Sequence, residues 1–196
     1  LVSEGTGLTL YEVPSGREVW RRPDAHPGEG PFINGLRYVP ARDEIVSSHR
    51  TLKIWSRAGE LLRTIPLPKA QVTEDIAVSP AGDRIYVSAQ GPELFEFLRD
   101  GPDEPGILRT GQSGYTRALE FDPSGGLLSG HDTGQIILRH GPKIQAVGRQ
   151  SGWIHCLRLG PGGLLASGGN DTRLKVWRTG PGRPVSLWES SGHWSA

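Results

Sequence analysis

The tetrapeptide Leu174-Lys175-Val176-Trp177 decides the fold, because a stretch of the same kind returns along the whole chain. The earlier copies are Leu8-Thr9-Leu10-Tyr11, Leu52-Lys53-Ile54-Trp55, Leu94-Phe95-Glu96-Phe97 and Ile136-Ile137-Leu138-Arg139. From the first copy to the last, the steps are 44, 42, 42 and 38 residues. Short strands that return about every forty residues are typical of small sheets stacked around one axis. The period therefore predicts an all-β chain, a β-propeller of four-stranded antiparallel blades.

A second sequence feature recurs in phase with the tetrapeptides. It consists of turn prolines that each follow a short apolar run, namely Pro40, Pro80, Pro123 and Pro161. Proline presets a turn and cannot lie in a central strand, so each proline separates the first strand of a blade from the second. We predict one domain over 1–196 with about five blades. Their expected bounds are 1–24 (lacking its first strand), 25–68, 69–110, 111–149 and 150–190, followed by the start of a further blade at 191–196.

The residues from Leu164 to Trp177 resemble a WD-repeat blade, and the segment from Thr51 to Trp55 ends in a similar way. The segment from Ile76 to Val87 is similar to the related YVTN-type propellers instead. In WD repeats a turn aspartate binds backbone amides, and a Gly-His pair opens each repeat. The resemblance thus implies a set of structural turn and network residues, which are Asp171, Ser167, Trp177, Trp55, His26 and His193.

This sequence also departs from the WD-repeat pattern. Gln112 and Gln150 stand where the resemblance implies histidine, and Arg139 replaces an aromatic residue. We therefore expect the buried Asp-His-Ser-Trp network of that family to be incomplete in most blades.

The two ends of the sequence leave two interpretations open. The first blade begins in its second strand, and the last residues stop where another first strand would begin. The chain is either a five-bladed ring with a defective seam or part of a ring of about seven blades. We favour the second interpretation. An open arc would expose apolar faces and strand edges, so edge-mediated self-association is expected in that case.

Composition argues against several function classes. The net charge is +1, from 22 basic and 21 acidic residues, and no basic stripe is present, so we predict no nucleic-acid partner. No apolar run approaches the length of a membrane-spanning helix, and we predict no membrane partner. Cys156 is the single cysteine and lies in an apolar run that predicts a buried strand. One cysteine provides neither a disulfide nor a thiolate metal site.

The sequence offers few candidate metal-binding or catalytic residues. The six histidines lack the spacing of metal ligands, so no metal is predicted. The pair His131-Asp132 follows a predicted strand, and we match Asp132 with Asp171 as a turn residue rather than as part of a catalytic pair. The sequence contains no nucleophile elbow and no phosphate-binding glycine loop. We predict no catalytic residue and no cofactor.

Loops on a rigid scaffold carry function, and the resemblance implies that partners contact one rim of the ring. The residues expected there are Tyr115, Arg117, Trp153, His155, His49, Arg50, His131 and Asn170. Alternatively, Tyr115 and Trp153 cap the contact between blades. We predict a non-catalytic scaffold that binds a protein or peptide and could be the docking or sensing arm of a larger multidomain protein. The alternative is a hydrolytic, lactonase-like propeller enzyme with its site residues in blades outside this sequence.

Overall fold

The computed structural model describes residues 1–68, 71–111, 113–179 and 185–191. These residues form nineteen β-strands in five antiparallel sheets. The strands are β1 (Val2–Glu4), β2 (Gly7–Tyr11), β3 (Glu18–Arg22), β4 (Gly35–Val39), β5 (Glu44–Ser48), β6 (Thr51–Ser56), β7 (Leu61–Pro66), β8 (Thr73–Val78), β9 (Arg84–Ala89), β10 (Glu93–Leu98), β11 (Gly106–Arg109), β12 (Thr116–Phe121), β13 (Leu127–His131), β14 (Gln135–His140), β15 (Lys143–Arg149), β16 (Ile154–Leu159), β17 (Leu164–Gly169), β18 (Arg173–Arg178) and β19 (Val185–Ser191).

Each sheet is formed by strands that follow one another in the chain. Sheet 1 contains β1 to β3, whereas sheets 2 to 5 each contain four strands, β4 to β7, β8 to β11, β12 to β15 and β16 to β19. The recurring tetrapeptide lies in the third strand of every four-stranded sheet, on β6, β10, β14 and β18. The prediction of an all-β chain of repeated four-stranded antiparallel blades is therefore confirmed.

The first strands of neighbouring sheets form the hub of the arrangement. Strand β4 packs against β8, β8 against β12, and β12 against β16. The outer strands β7, β11, β15 and β19 pair only with the third strand of their own sheet among the described residues. The loops that enter the first strands consequently gather at one end of the hub, where the candidate site lies.

The apolar core lies between the sheets. Leu8 and Trp55 are buried between sheets 1 and 2, and Ile54 packs with Phe97 between sheets 2 and 3. Between sheets 3 and 4 the core contains Leu94 and Leu119, and between sheets 4 and 5 it contains residues such as Ile136 and Trp177. A sheet of this size cannot bury its own two faces, so each sheet depends on its neighbours for stability.

Two sequence expectations need correction. Cys156 is exposed rather than buried, because a register shift between Ile154 and Cys156 places its thiol on the face of sheet 5 that faces away from sheet 4. The register also matches Asp132 with Asn170, not with Asp171, since Gly130 pairs with Ile136 as Gly168 pairs with Leu174. Within the described residues, no helix has the length and apolar character needed to cross a membrane.

Tight turns between the second and third strands require special backbone angles. Gly134 in the β13–β14 turn has φ of 77°, in the left-handed region. A Cβ atom at this position would overlap the carbonyl oxygen of Gln150. Gly162, in the connection between the first and second strands of sheet 5, has a similar φ of 69°, but a Cβ atom there would meet open space.

We therefore predict different costs for two glycine substitutions. Gly162→Ala should lower the free energy of unfolding by about 1 kcal/mol, the cost of placing a side chain in the left-handed region. Gly134→Ala adds the overlap with Gln150 and should cost at least about 2 kcal/mol more. Urea unfolding of both variants measures the difference. Equal losses would show that the turn tolerates a side chain beside Gln150.

Candidate functional site

Two exposed aromatic residues stand at equivalent positions on neighbouring sheets. Tyr115 directly precedes β12 and is 41% exposed, and Trp153 directly precedes β16 and is 44% exposed. Just after each ring the strand has a β-bulge, which leaves Arg117 and His155 as the extra residues. A bulge redirects the side chain of the extra residue. The loop end of the hub therefore carries two pairs of neighbouring side chains, one on each sheet.

The backbone at both aromatic residues is fixed by the turn opposite. Asn170 Oδ1 accepts a hydrogen bond of 2.6 Å from the N–H of Trp153, and Asn170 N–H donates to the Trp153 carbonyl at 3.1 Å. Asp132 N–H donates in the same way to the Tyr115 carbonyl at 3.0 Å. The residue before each aromatic is glycine, because a Cβ on Gly114 or Gly152 would overlap the Asp132 or Asn170 side chain.

Arg117 connects the two aromatic residues. Its guanidinium carbon lies 4.8 Å from the centre of the Trp153 ring and 5.7 Å from that of Tyr115, within cation–π range. Its Nη1 donates to Glu74 Oε2 at 2.9 Å, across to sheet 3. The His155 ring meets the Trp153 ring edge-on at 6.2 Å between centres. We call Tyr115, Arg117, Trp153 and His155 the rim cluster.

The other residues expected on this rim are placed differently. Arg50 is exposed in the β5–β6 turn of sheet 2, and its backbone N–H donates to Glu29. Asn170 is exposed, with its amide oxygen bound to the backbone of Trp153. His49 is 5% exposed and His131 is fully buried, because both side chains turn inward from the end of a second strand. The expectation that these two histidines contact a partner is corrected by their burial.

A buried hydrogen-bond chain joins the loop before sheet 2 to that sheet. Trp55 Nε1–H donates to Ser47 Oγ at 2.9 Å, and Ser47 lies 2.8 Å from His26 Nε2. His26 Nδ1 lies 3.1 Å from Glu29 Oε2. The carboxylate can only accept, so the Nδ1 of His26 carries a proton, and a neutral His26 then accepts the Ser47 hydroxyl at Nε2. Burial lowers the pKa of His26, which agrees with this assignment.

Glu29 supplies the carboxylate that ends this chain. The β5–β6 turn holds three residues between the paired Ser48 and Leu52, against five in the β17–β18 turn, so it offers no turn aspartate. Glu29 instead accepts the backbone N–H groups of Arg50 and Thr51, each at 2.9 Å. Burial alone would raise the pKa of Glu29, but hydrogen bonds from Thr51, from His26 and from the backbone N–H of Arg50 lower it to about 2.

Sheet 5 contains the same chain with glutamine in place of histidine. Trp177 Nε1–H donates to Ser167 Oγ at 2.8 Å, and the Ser167 hydroxyl donates to Gln150 Oε1 at 2.5 Å. Gln150 Nε2 then donates to Asp171 Oδ1 at 3.2 Å. Asp171 also accepts the backbone N–H of Arg173 at 3.1 Å. The order of donors and acceptors is thus the same as in sheet 2.

The network differs in the two sheets between them. In sheet 3, Phe97 occupies the place of the tryptophan and cannot donate. In sheet 4, His131 Nε2 lies 2.9 Å from Ser129 Oγ, and its Nδ1 lies 3.4 Å from Thr116 Oγ1. Burial lowers the pKa of His131 to about 4. We expected the network to be incomplete in most blades, and the described residues show the complete chain in sheets 2 and 5. His193 lies outside the described residues.

An ion pair crosses three sheets at the hub. Arg37 Nη2 lies 2.9 and 3.1 Å from the two oxygens of Asp75. Asp75 Oδ2 also accepts the backbone N–H of Leu119 at 2.9 Å, and Arg37 donates to the Leu119 carbonyl. Burial raises the pKa of Asp75, and the charge of Arg37 opposes this change. In the part of the chain that the structure describes, no group of three or more His, Cys, Asp or Glu could hold a metal ion.

Comparison with known proteins fits this architecture. Residues 143–178 match the family described as "WD domain, G-beta repeat". The match runs from β15, the outer strand of sheet 4, to β18, the third strand of sheet 5. This segment is thus similar to a WD repeat and lies within a set of repeated four-stranded blades, a similarity that supports a general role in protein interaction.

A curated relative is similar to this chain over a longer stretch. The human "Ribosome biogenesis protein BOP1" is 27% identical over 111 residues. The aligned part covers 56% of this chain and 15% of the relative. The chain therefore corresponds to a small part of that protein's length.

The hydrogen-bond chain in sheet 5 leads to a stability prediction. Gln150→Leu leaves the Ser167 hydroxyl without its acceptor and removes the donor to Asp171, so the free energy of unfolding should fall by about 1–3 kcal/mol. Gln150→His keeps an acceptor and a donor in the same order, as in sheet 2, and should stay close to the parent protein at pH 7.5. Urea unfolding compares the three proteins. A histidine variant as unstable as the leucine variant would contradict the donor–acceptor assignment.

Buried His131 leads to a pH prediction. Its pKa is about 4 in the folded chain and near 6.5 when unfolded, so the unfolded state binds the proton first as the pH falls. Stability should be constant above about pH 6.5 and decrease toward pH 4 by at most about 3 kcal/mol from this group. His131→Gln should reduce this slope without abolishing it, because burial also lowers the pKa of His26. Urea unfolding between pH 7.5 and 4.5 tests both statements, and an unchanged slope in the variant would contradict them.

Proposed function

We propose that this chain is a non-catalytic scaffold that binds a protein or peptide segment at the rim cluster. The observation that carries the proposal is the guanidinium of Arg117, held between the half-exposed rings of Tyr115 and Trp153 on two sheets. Tyrosine, tryptophan and arginine are the residue types that dominate binding energy at protein interfaces. Their concentration in one partly exposed cluster supports binding as the role of this surface.

The rim cluster is also preorganised. The backbone of Trp153 is fixed on both sides by Asn170, and Arg117 is bound to Glu74. A surface that is already ordered loses little conformational entropy when a partner binds. A WD repeat at residues 143–178, which ends inside sheet 5, supports the same kind of role.

The hub offers less support for catalysis. A cavity of 240 Å³ is lined by charged residues that include Arg37, Asp75 and Arg158. The Asp75 carboxylate is occupied by Arg37 and by the backbone N–H groups of Ile76 and Leu119. A general base needs a free oxygen within reach of a substrate proton. This arrangement favours a structural role for Asp75.

The relative suggests a setting for the scaffold. Its name connects that human protein with ribosome biogenesis. We propose that this chain acts as a docking arm within a larger assembly or a larger polypeptide.

The proposal predicts where selected peptides bind. Peptides selected from a random displayed library against the chain should lose at least about tenfold in affinity with Trp153→Ala or Tyr115→Ala, because truncating an aromatic anchor is costly. Trp188→Ala is the matched control, since Trp188 is 51% exposed but lies on the outer strand of sheet 5. Isothermal titration calorimetry gives the affinities. Selected peptides that bind both cluster variants as tightly as the parent protein would refute the proposal.

A further inference from the structure

We propose that the rim cluster binds a proline-rich segment in the polyproline II conformation, an inference that rests on the binding role proposed above. The first support is the layout of the rings. Tyr115 and Trp153 occupy equivalent positions on adjacent sheets, and Arg117 lies between them in contact with both. The cluster therefore presents two separate aromatic surfaces on one rigid base. Proline-rich segments dock on aromatic surfaces of this kind, where the proline rings pack against the aromatic side chains.

The second support is the balance of hydrogen-bonding groups. An indole N–H and a guanidinium only donate, and among the described residues the Trp153 indole N–H has no acceptor. Two acceptor atoms beside the cluster are already used, since Glu74 Oε2 is bound to Arg117 and the Asn170 amide oxygen to the Trp153 backbone. The cluster thus offers donors to a partner. A polyproline II segment has no internal hydrogen bonds, and its prolines have carbonyl acceptors but no N–H groups.

The third support is charge. Glu74 neutralises Arg117 through their contact at 2.9 Å, so the rim cluster carries no excess positive charge from this arginine. An acidic peptide would therefore gain little from electrostatic attraction to Arg117. A proline-rich segment needs none, because its contacts are apolar packing and neutral hydrogen bonds. The charge balance therefore favours proline-rich over acidic partners.

The fourth support is rigidity on both sides of the contact. Trp153 and Tyr115 are fixed by the turns that contain Asn170 and Asp132. A polyproline II segment is likewise largely ordered before it binds. Two ordered surfaces lose little entropy on association, so a short segment could bind with measurable affinity.

Calorimetric titration of the chain with a decaproline peptide tests this inference, with a ten-residue Gly-Ser peptide and decaglutamate as comparison ligands. We expect decaproline to bind at least about tenfold more tightly than either comparison peptide. Trp153→Ala should weaken that binding by about tenfold or more, whereas Trp188→Ala should leave it unchanged. A circular dichroism melt of each variant shows that the fold is intact.

Three outcomes overturn the inference. Decaproline that binds no better than the Gly-Ser peptide, or that loses equal affinity in both tryptophan variants, removes the proline assignment. Decaglutamate that binds more tightly than decaproline and depends on Trp153 would identify an acidic partner instead. These outcomes leave the proposed binding role standing, since that role fails only when selected peptides ignore both Tyr115 and Trp153.

Discussion

Packing between sheets is the constraint on which the rest of this structure depends. Each sheet has two apolar faces, and three or four short strands have no other layer of their own chain segment to cover them. The first strands solve this by packing in series at the hub, from β4 through β8 and β12 to β16. A change that separates two sheets would expose one of the four cores. The local hydrogen bonds, turns and exposed rings all presuppose that the sheets remain in contact.

The hydrogen-bond chains in sheets 2 and 5 add to the stability that this packing provides. In both, a loop residue outside the sheet is joined to the third-strand tryptophan through a second-strand serine. Histidine in one chain and glutamine in the other perform the same task, because each can accept at one end and donate at the other. The carboxylate likewise comes from Glu29 or from Asp171. In these two sheets the order of donors and acceptors is the same, although different residues supply it.

The period of the tetrapeptides was sufficient to predict the sheets, since the strand pattern and the turn prolines are local signals. The tertiary details were less accessible. The sequence could not reveal the role of Glu29, because that role follows from a β5–β6 turn that is two residues shorter than the β17–β18 turn. Cys156 was expected to be buried, and a bulge reversed its direction. The aromatic residues Tyr115 and Trp153 were expected on the rim, but their connection through Arg117 required knowledge of both bulges.

The turns between the second and third strands of sheets 4 and 5 also orient the candidate binding surface. Asn170 and Asp132 occupy matched turn positions, and each is bonded to the backbone of the aromatic residue opposite. Gly152 and Gly114 make room for these contacts. The backbone that carries each ring is thereby fixed by its own turn, so the separation of the two aromatic residues depends on how the two sheets pack. The geometry of the rim cluster therefore depends on the same packing that stabilises the interface between sheets 4 and 5.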